Sequence, residues 1–183
     1  MKNFKLVLGL LLFTTAIFGQ TVQDSKDYIS EKVGGSNPLP NYANKIFFTN
    51  ILRPDAEMLV GRKLSDDEFN HLFIYARDVY VDDNRSKWAW TVAQSVDIRG
   101  ITKVSATRTT GQQNFYTITV YLDENHLAKQ YSESSFDKKP KYEYISKMEI
   151  LISDDSNIAN NVKRAVIKMG EFYGISIRDG DKF

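Results

Sequence analysis

SDDEFNHLFIYARDVY, residues 65–80, is the stretch whose reading decides how the rest of the chain is arranged. Ser65 followed three residues later by Glu68 forms a capping box, in which the serine oxygen accepts from the Glu68 amide and the glutamate reaches back to the serine amide. Beyond it, Phe69, Leu72, Phe73, Ala76, Val79 and Tyr80 recur at helical spacing, which predicts a helix running on from Asp66. Asp66 and Asp67 in its first turn suit the positive end of the helix dipole.

The same residues also resemble chemistry, because three carboxylates stand beside His71, one of only two histidines in the chain. His71 lies four residues after Asp67, so both share one helical face. The other histidine, His126, sits beside Asp123 and Glu124 in YLDENHL, a turn between strands. A metal-dependent hydrolase using Asp67, His71, Asp123 and His126 requires these two segments to meet, since catalytic zinc takes three protein ligands in fixed geometry. The cap accounts for the carboxylates without such a meeting. The expectation is therefore no catalytic residue, no metal ligand and no cofactor.

Upstream, Asp24 to Val33 reads as a short helix with Val22, Lys26, Ile29 and Val33 on one side and Gly34-Gly35 at its end. SNPLPNYANK reads as an extended linker, and IFFTNIL, residues 46–52, as a strand or a buried turn. Pro54 to Lys63 shows no clear pattern.

Downstream, RDVYV, DDNRS and KWAWTVA predict a hairpin with Trp88 and Trp90 on one face of its second strand. The pair either covers a core edge, the reading favoured here, or forms a binding platform at the mouth of a small-ligand pocket. NFYTITVYL is the clearest strand, and HLAKQYSES is its expected partner across DEN. An exposed strand around residues 129–134 would then offer an edge to a second copy. SSFDKKPKYE reads as an exposed loop or edge whose lysines and Pro140 discourage further pairing. ISKMEILIS is a further strand. Ile158, Val162, Ala165, Val166, Met169 and Phe172 or Tyr173 give the last helix a broad apolar stripe, with Lys163, Arg164 and Lys168 mostly off it. Asp179 and Asp181 around Gly180 resemble a fragment of a calcium loop without its other ligands, and read as a turn.

Residues 1–19 have the three parts of a secretory signal: Lys2 and Lys5, the apolar block Leu6 to Phe13, and small residues leading to a cut before Gln20. The apolar block is shorter than the roughly 20 residues that span a bilayer, so cleavage is expected over anchoring, with no integral membrane segment left afterwards. The mature chain is expected in the periplasm or outside the cell. Residues 20–64 would form an N-terminal helix and lead-in, and residues 65–183 a single α+β domain. Removing Lys2 and Lys5 from the 24 basic residues leaves 22 against 23 acidic ones, a balance that argues against nucleic acid as a partner. The chain has no cysteine, no GxSxG, no HExxH and no phosphate-cradling glycine loop.

From about Asp78 to Tyr173, VDIRGITKVSATR, then the strong strand, then ISKMEILISDDSNIANNVKRAV together resemble the layout of pleckstrin-homology-like domains, including bacterial secreted ones. The resemblance implies a curled antiparallel sheet, a partial barrel closed by the C-terminal amphipathic helix, with N-terminal helical additions here. It also implies binding or scaffolding in place of catalysis. Phosphoinositide recognition does not carry over, because no basic cluster lies between the early strands. The sequence thus points to a non-catalytic module for a protein, peptide or envelope component. The metal-dependent hydrolase and a ligand carrier with Trp88 and Trp90 at its pocket are the alternatives.

Overall fold

The structure, a computed structural model, describes residues 22–181 except 49, 112, 127 and 138. The secretory signal expected over residues 1–19 lies outside the described residues. Residues 22–34 form the first helix, α1. There follow β1 (Tyr42–Phe47), α2 (Arg53–Val60), α3 (Asp66–Asn70), β2 (Leu72–Tyr80), β3 (Trp88–Asp97), a 3₁₀ turn (Ile98–Gly100) and β4 (Ile101–Thr109). β5 (Phe115–Leu122), β6 (Ala128–Ser134), β7 (Lys141–Ile145), β8 (Lys147–Ser153), α4 (Ser156–Phe172) and β9 (Arg178–Asp179) complete the chain. No helix among the described residues is long and apolar enough to cross a membrane.

The capping box forms as expected, with the Ser65 hydroxyl accepting from the Glu68 amide and the Glu68 carboxylate accepting from the Ser65 amide. The helix it starts is only five residues long, and Leu72–Tyr80 is a strand. β2 is paired on both sides, to β1 and to β3. Its alternate residues enter two different cores: Phe73 and Tyr75 one, Leu72, Ile74 and Ala76 the other. A strand buried on both faces is apolar at almost every position, so it satisfies a helical template as readily as a strand template. That is why the periodicity misled.

The fold is α+β, but its strands form two sheets in place of one curled sheet. The five-stranded sheet runs β1-β2-β3-β6-β7 and the four-stranded sheet β8-β5-β4-β9. All pairings are antiparallel except β4 with β9. β6 does not return to β5 across the DEN turn; it crosses to the other sheet and lies between β3 and β7, so residues 129–132, the greater part of the expected edge, are paired on both sides. β8 takes the place beside β5.

The main core lies between α4 and the two sheets and includes Phe73, Ile118, Ile150, Val166 and Met169, together with Ile29 and Val33 of α1. A second core, with Ala56, Val60, Leu64, Ile74, Ala93 and Tyr131, fills the space under α2. α2 has Pro54 at its start and Gly61 just past its end, where φ of 73° suits glycine.

Two further details hold the sheets and the tail. Among the described residues β8 has β5 on one side and no strand on the other. On that side the amides of Glu149, Leu151 and Ser153 donate to Gln94 Oε1 (2.9 Å), Tyr75 Oη (3.2 Å) and Ser36 Oγ (3.0 Å), while Asn44 Nδ2 donates to the Leu151 carbonyl (2.6 Å). Side chains thus stand in for a missing strand. The residues after α4 fold back over β4. Ile177 fits against Gly170, where a side chain would meet it at 2.1 Å. Lys163, expected off the apolar stripe, is buried. Its ammonium donates to Asp179 Oδ1 (2.9 Å) and Asp181 Oδ2 (2.5 Å). Burial pulls its pKa down, and those carboxylates overcome the pull and leave it raised. The carboxylates that resembled a calcium fragment are thus held by a lysine, and Asp181 also accepts from the Ala106 amide.

Candidate functional site

A groove of about 370 Å³ opens on the α2 side of the five-stranded sheet. Val60, Leu64 and Leu72 give it apolar walls, and Arg62, Glu68, Asp97, Glu124, His126, Lys129 and Tyr144 give it polar ones. The helix-to-strand chain from α2 to β2 supplies one side, and the turn before β6 supplies the other.

Most charges here are matched. Arg62 Nη2 lies 2.6 Å from Glu68 Oε1, and Ser65 donates to the same carboxylate through both amide and hydroxyl. The Arg62 hydrogen bond, reinforced by Ser65, holds the Glu68 carboxyl down to about 2. Asp97 is claimed by Arg99, at 2.5 Å from Nη2. Two charges remain without an ion-pair partner among the described residues: Glu124, which is exposed, and Lys129. The Lys129 ammonium lies over two rings, 5.3 Å from the centroid of Tyr142 and 5.4 Å from that of Tyr144. Tyr142 is anchored, its hydroxyl donating to the Met58 carbonyl at 2.8 Å and its ring lying against Gly61. Tyr144 is 72% exposed.

The four residues of the hydrolase alternative form two separate pairs. His71 Nδ1 lies 2.7 Å from the Asp67 carbonyl oxygen, its ring meets Tyr173 edge-on, and Asp67 Oδ2 accepts from Arg99 Nη1 at 2.6 Å. His126 Nδ1 lies 2.7 Å from Asp123 Oδ1, a hydrogen bond that lowers the Asp123 pKa. The pairs flank the Ile98–Gly100 turn: the Ile98 amide donates to the His71 carbonyl, and the Asp123 amide to the Gly100 carbonyl. Gly100 is packed so closely on His126 that a Cβ there would lie 2.1 Å from that of the histidine. Among the described residues, no group of three or more His, Asp or Glu side chains is placed to hold a metal ion.

The two tryptophans part company. The pairing of β2 with β3 shifts register between Val79 and Tyr80, so Trp90 stands opposite Val79 and Trp88 opposite Tyr80. Consecutive residues of β2 point to opposite faces, and the indoles therefore do too. Trp88 Nε1 donates to Thr91 Oγ1 (3.0 Å), which in turn donates to Asp78 (2.6 Å). Trp90 is 42% exposed and lines a small hollow with Ser132, Ser134 and Lys141. A shared stacking platform does not form.

The groove escaped the sequence reading because α2 did. The signal was present in Pro54 and Gly61, a helix start and stop seven residues apart around a weakly patterned segment. Compared with known protein families, curated proteins and solved structures, the chain matches none.

Proposed function

We propose that the protein is an exported, non-catalytic binding module whose groove on the α2 side takes a segment of a protein or peptide partner. The observation that carries this reading is the combination of apolar walls with an exposed Tyr144 and two unmatched charges, Lys129 and Glu124, at one opening. Recognition surfaces share this anatomy: an apolar floor for an anchor side chain, a polar rim for register, and tyrosine over-represented among the residues that matter most. The strands followed by a final helix on β4 and β5 support the pleckstrin-homology-like likeness, and with it a binding role. The basic, apolar and small-residue order of Met1–Gly19 supports export.

The test is selection of displayed peptides on the mature chain, followed by affinity measurement with Tyr144→Ala and Lys129→Ala. Each substitution is expected to weaken the selected peptides at least about tenfold, equivalent to about 1.4 kcal/mol. Arg108→Ala, remote from the groove and paired with Asp154, serves as the control and is expected to change nothing. Peptides that bind both groove variants as well as the parent would overturn the proposal. Selective capture of an envelope polysaccharide or lipid in place of peptides would redirect it to that ligand.

A further inference from the structure

The opposite side of the five-stranded sheet changes character along its strands. Phe73 and Val96, neighbours across β2 and β3, are buried in the main core. The next row is Tyr75, Gln94 and Gln130, and the one after it Arg77, Val92 and Ser132. Beside these rows β8 leaves a cleft of about 370 Å³, with Leu151 and Glu149 on its far wall.

Nearly every polar group in the cleft is satisfied by a neighbour. The Tyr75 hydroxyl donates to Asn44 Oδ1 and accepts from the Leu151 amide. Gln94 donates to Gln130 and accepts from the Glu149 amide, and the Glu149 carboxylate holds Lys147 at 2.5 Å. Arg77 is matched only in part: its guanidinium bears on the Tyr75 hydroxyl, drawing that group's pKa down against the rise that burial causes. Among the described residues it has no carboxylate within 4.0 Å, and its Nε is enclosed without a hydrogen-bond partner. Its guanidinium rests 5.1 Å from the centroid of the Tyr42 ring. An enclosed donor without a partner is costly, so a cation kept this way stands out against its otherwise paired surroundings.

We propose that this cleft binds a carboxylate, seated on Arg77. The guanidinium fork matches two carboxylate oxygens, and Val92 and Leu151 offer apolar contact to the carbon skeleton behind them. One cation with Glu149 nearby suits a monoanion better than a doubly charged phosphate. The volume lies near the lower end for small-molecule sites, which suits a small organic acid or the last residues of a peptide. This site lies on the other face of the sheet from the groove and does not depend on it.

The experiment titrates the full mature chain with acetate, benzoate, N-acetyl-alanyl-alanine and the amide of that dipeptide, following backbone amide shifts by NMR. Saturable shifts at Tyr75, Gln94 and Leu151 are expected with acids and not with the amide, and Arg77→Gln is expected to weaken the binding at least tenfold. Tighter binding of the dipeptide acid than of acetate and benzoate assigns the site to chain termini, and the reverse order assigns it to free organic acids. The proposal is overturned if no acid gives saturable shifts at those amides in the unsubstituted protein, if the amide binds as well as the acid, or if a folded Arg77→Gln variant binds undiminished.

Discussion

The two sheets treat their polar groups differently. In the four-stranded sheet the closing elements are matched: α4 covers β4 and β5, side chains from the neighbouring sheet finish the edge of β8, and Lys163 with Asp179 and Asp181 fixes the strand beside β4. The five-stranded sheet carries surplus on both faces, with Lys129, Glu124 and Tyr144 at the α2 side and Arg77 and Trp90 on the other. The difference teaches where to look for purpose. Matched groups describe how the chain stays folded, and the unmatched ones at the groove and the cleft mark where we propose that it binds.

The comparison breaks most readily at its extremes. Ile150→Ala, in the middle of β8 and fully buried, is expected to lower unfolding free energy by about 2–5 kcal/mol, whereas Trp90→Ala on the open face should cost about 1 kcal/mol or less. Urea unfolding of both variants decides the matter, and equal losses would mean that the second face is not open. A sharper probe lies where the sheets meet. Tyr75→Phe removes the hydroxyl between Asn44 and the Leu151 amide and is expected to cost about 1–3 kcal/mol, by the same measurement.

At the groove, Ser65→Ala should cost about 1 kcal/mol, as loss of an N-cap does, and leave peptide binding within twofold. A collapse of binding with intact stability would instead give that serine a direct part in recognition. The smallest effect is one of acidity. Glu68 has its folded pKa depressed from 4.5 to about 2, so its stabilisation is complete above its unfolded pKa and is lost as pH falls towards 2. The carboxylate is about one-third exposed, which keeps the contribution to a fraction of 1 kcal/mol. Glu68→Gln should flatten the stability profile between those two pH values and lower stability at neutral pH by that same fraction of 1 kcal/mol.

Much of this architecture was legible in the chain. The capping box at Ser65, the hairpin around 82–86, the strand from Phe115 and the amphipathic final helix all announce themselves through local rules. What was not legible depends on tertiary placement. LFIYARDVY is a strand because it is sandwiched between two cores, and a single sequence does not record how many cores exist. The crossing of β6 to the other sheet leaves no local mark at all. A one-residue register shift, invisible in KWAW, is enough to send two indoles to opposite faces. Lys163 reads as a surface residue until the tail that neutralises it is in place. Of the candidate sites, the pairs Asp67–His71 and Asp123–His126 were visible, and their separation was not. The groove and the Arg77 cleft lie among residues distant in sequence, so neither was foreseen.

The anchoring of Lys163 has a consequence for biogenesis. Its counter-charges follow it by 16 and 18 positions, so a nascent chain that has just released α4 still carries a bare ammonium on the face meant for the interior. Both counter-charges are available only once Asp181 has emerged. Full neutralisation of the buried Lys163 is thereby tied to a late moment in synthesis, and a chain interrupted before that point lacks one or both of its counter-charges.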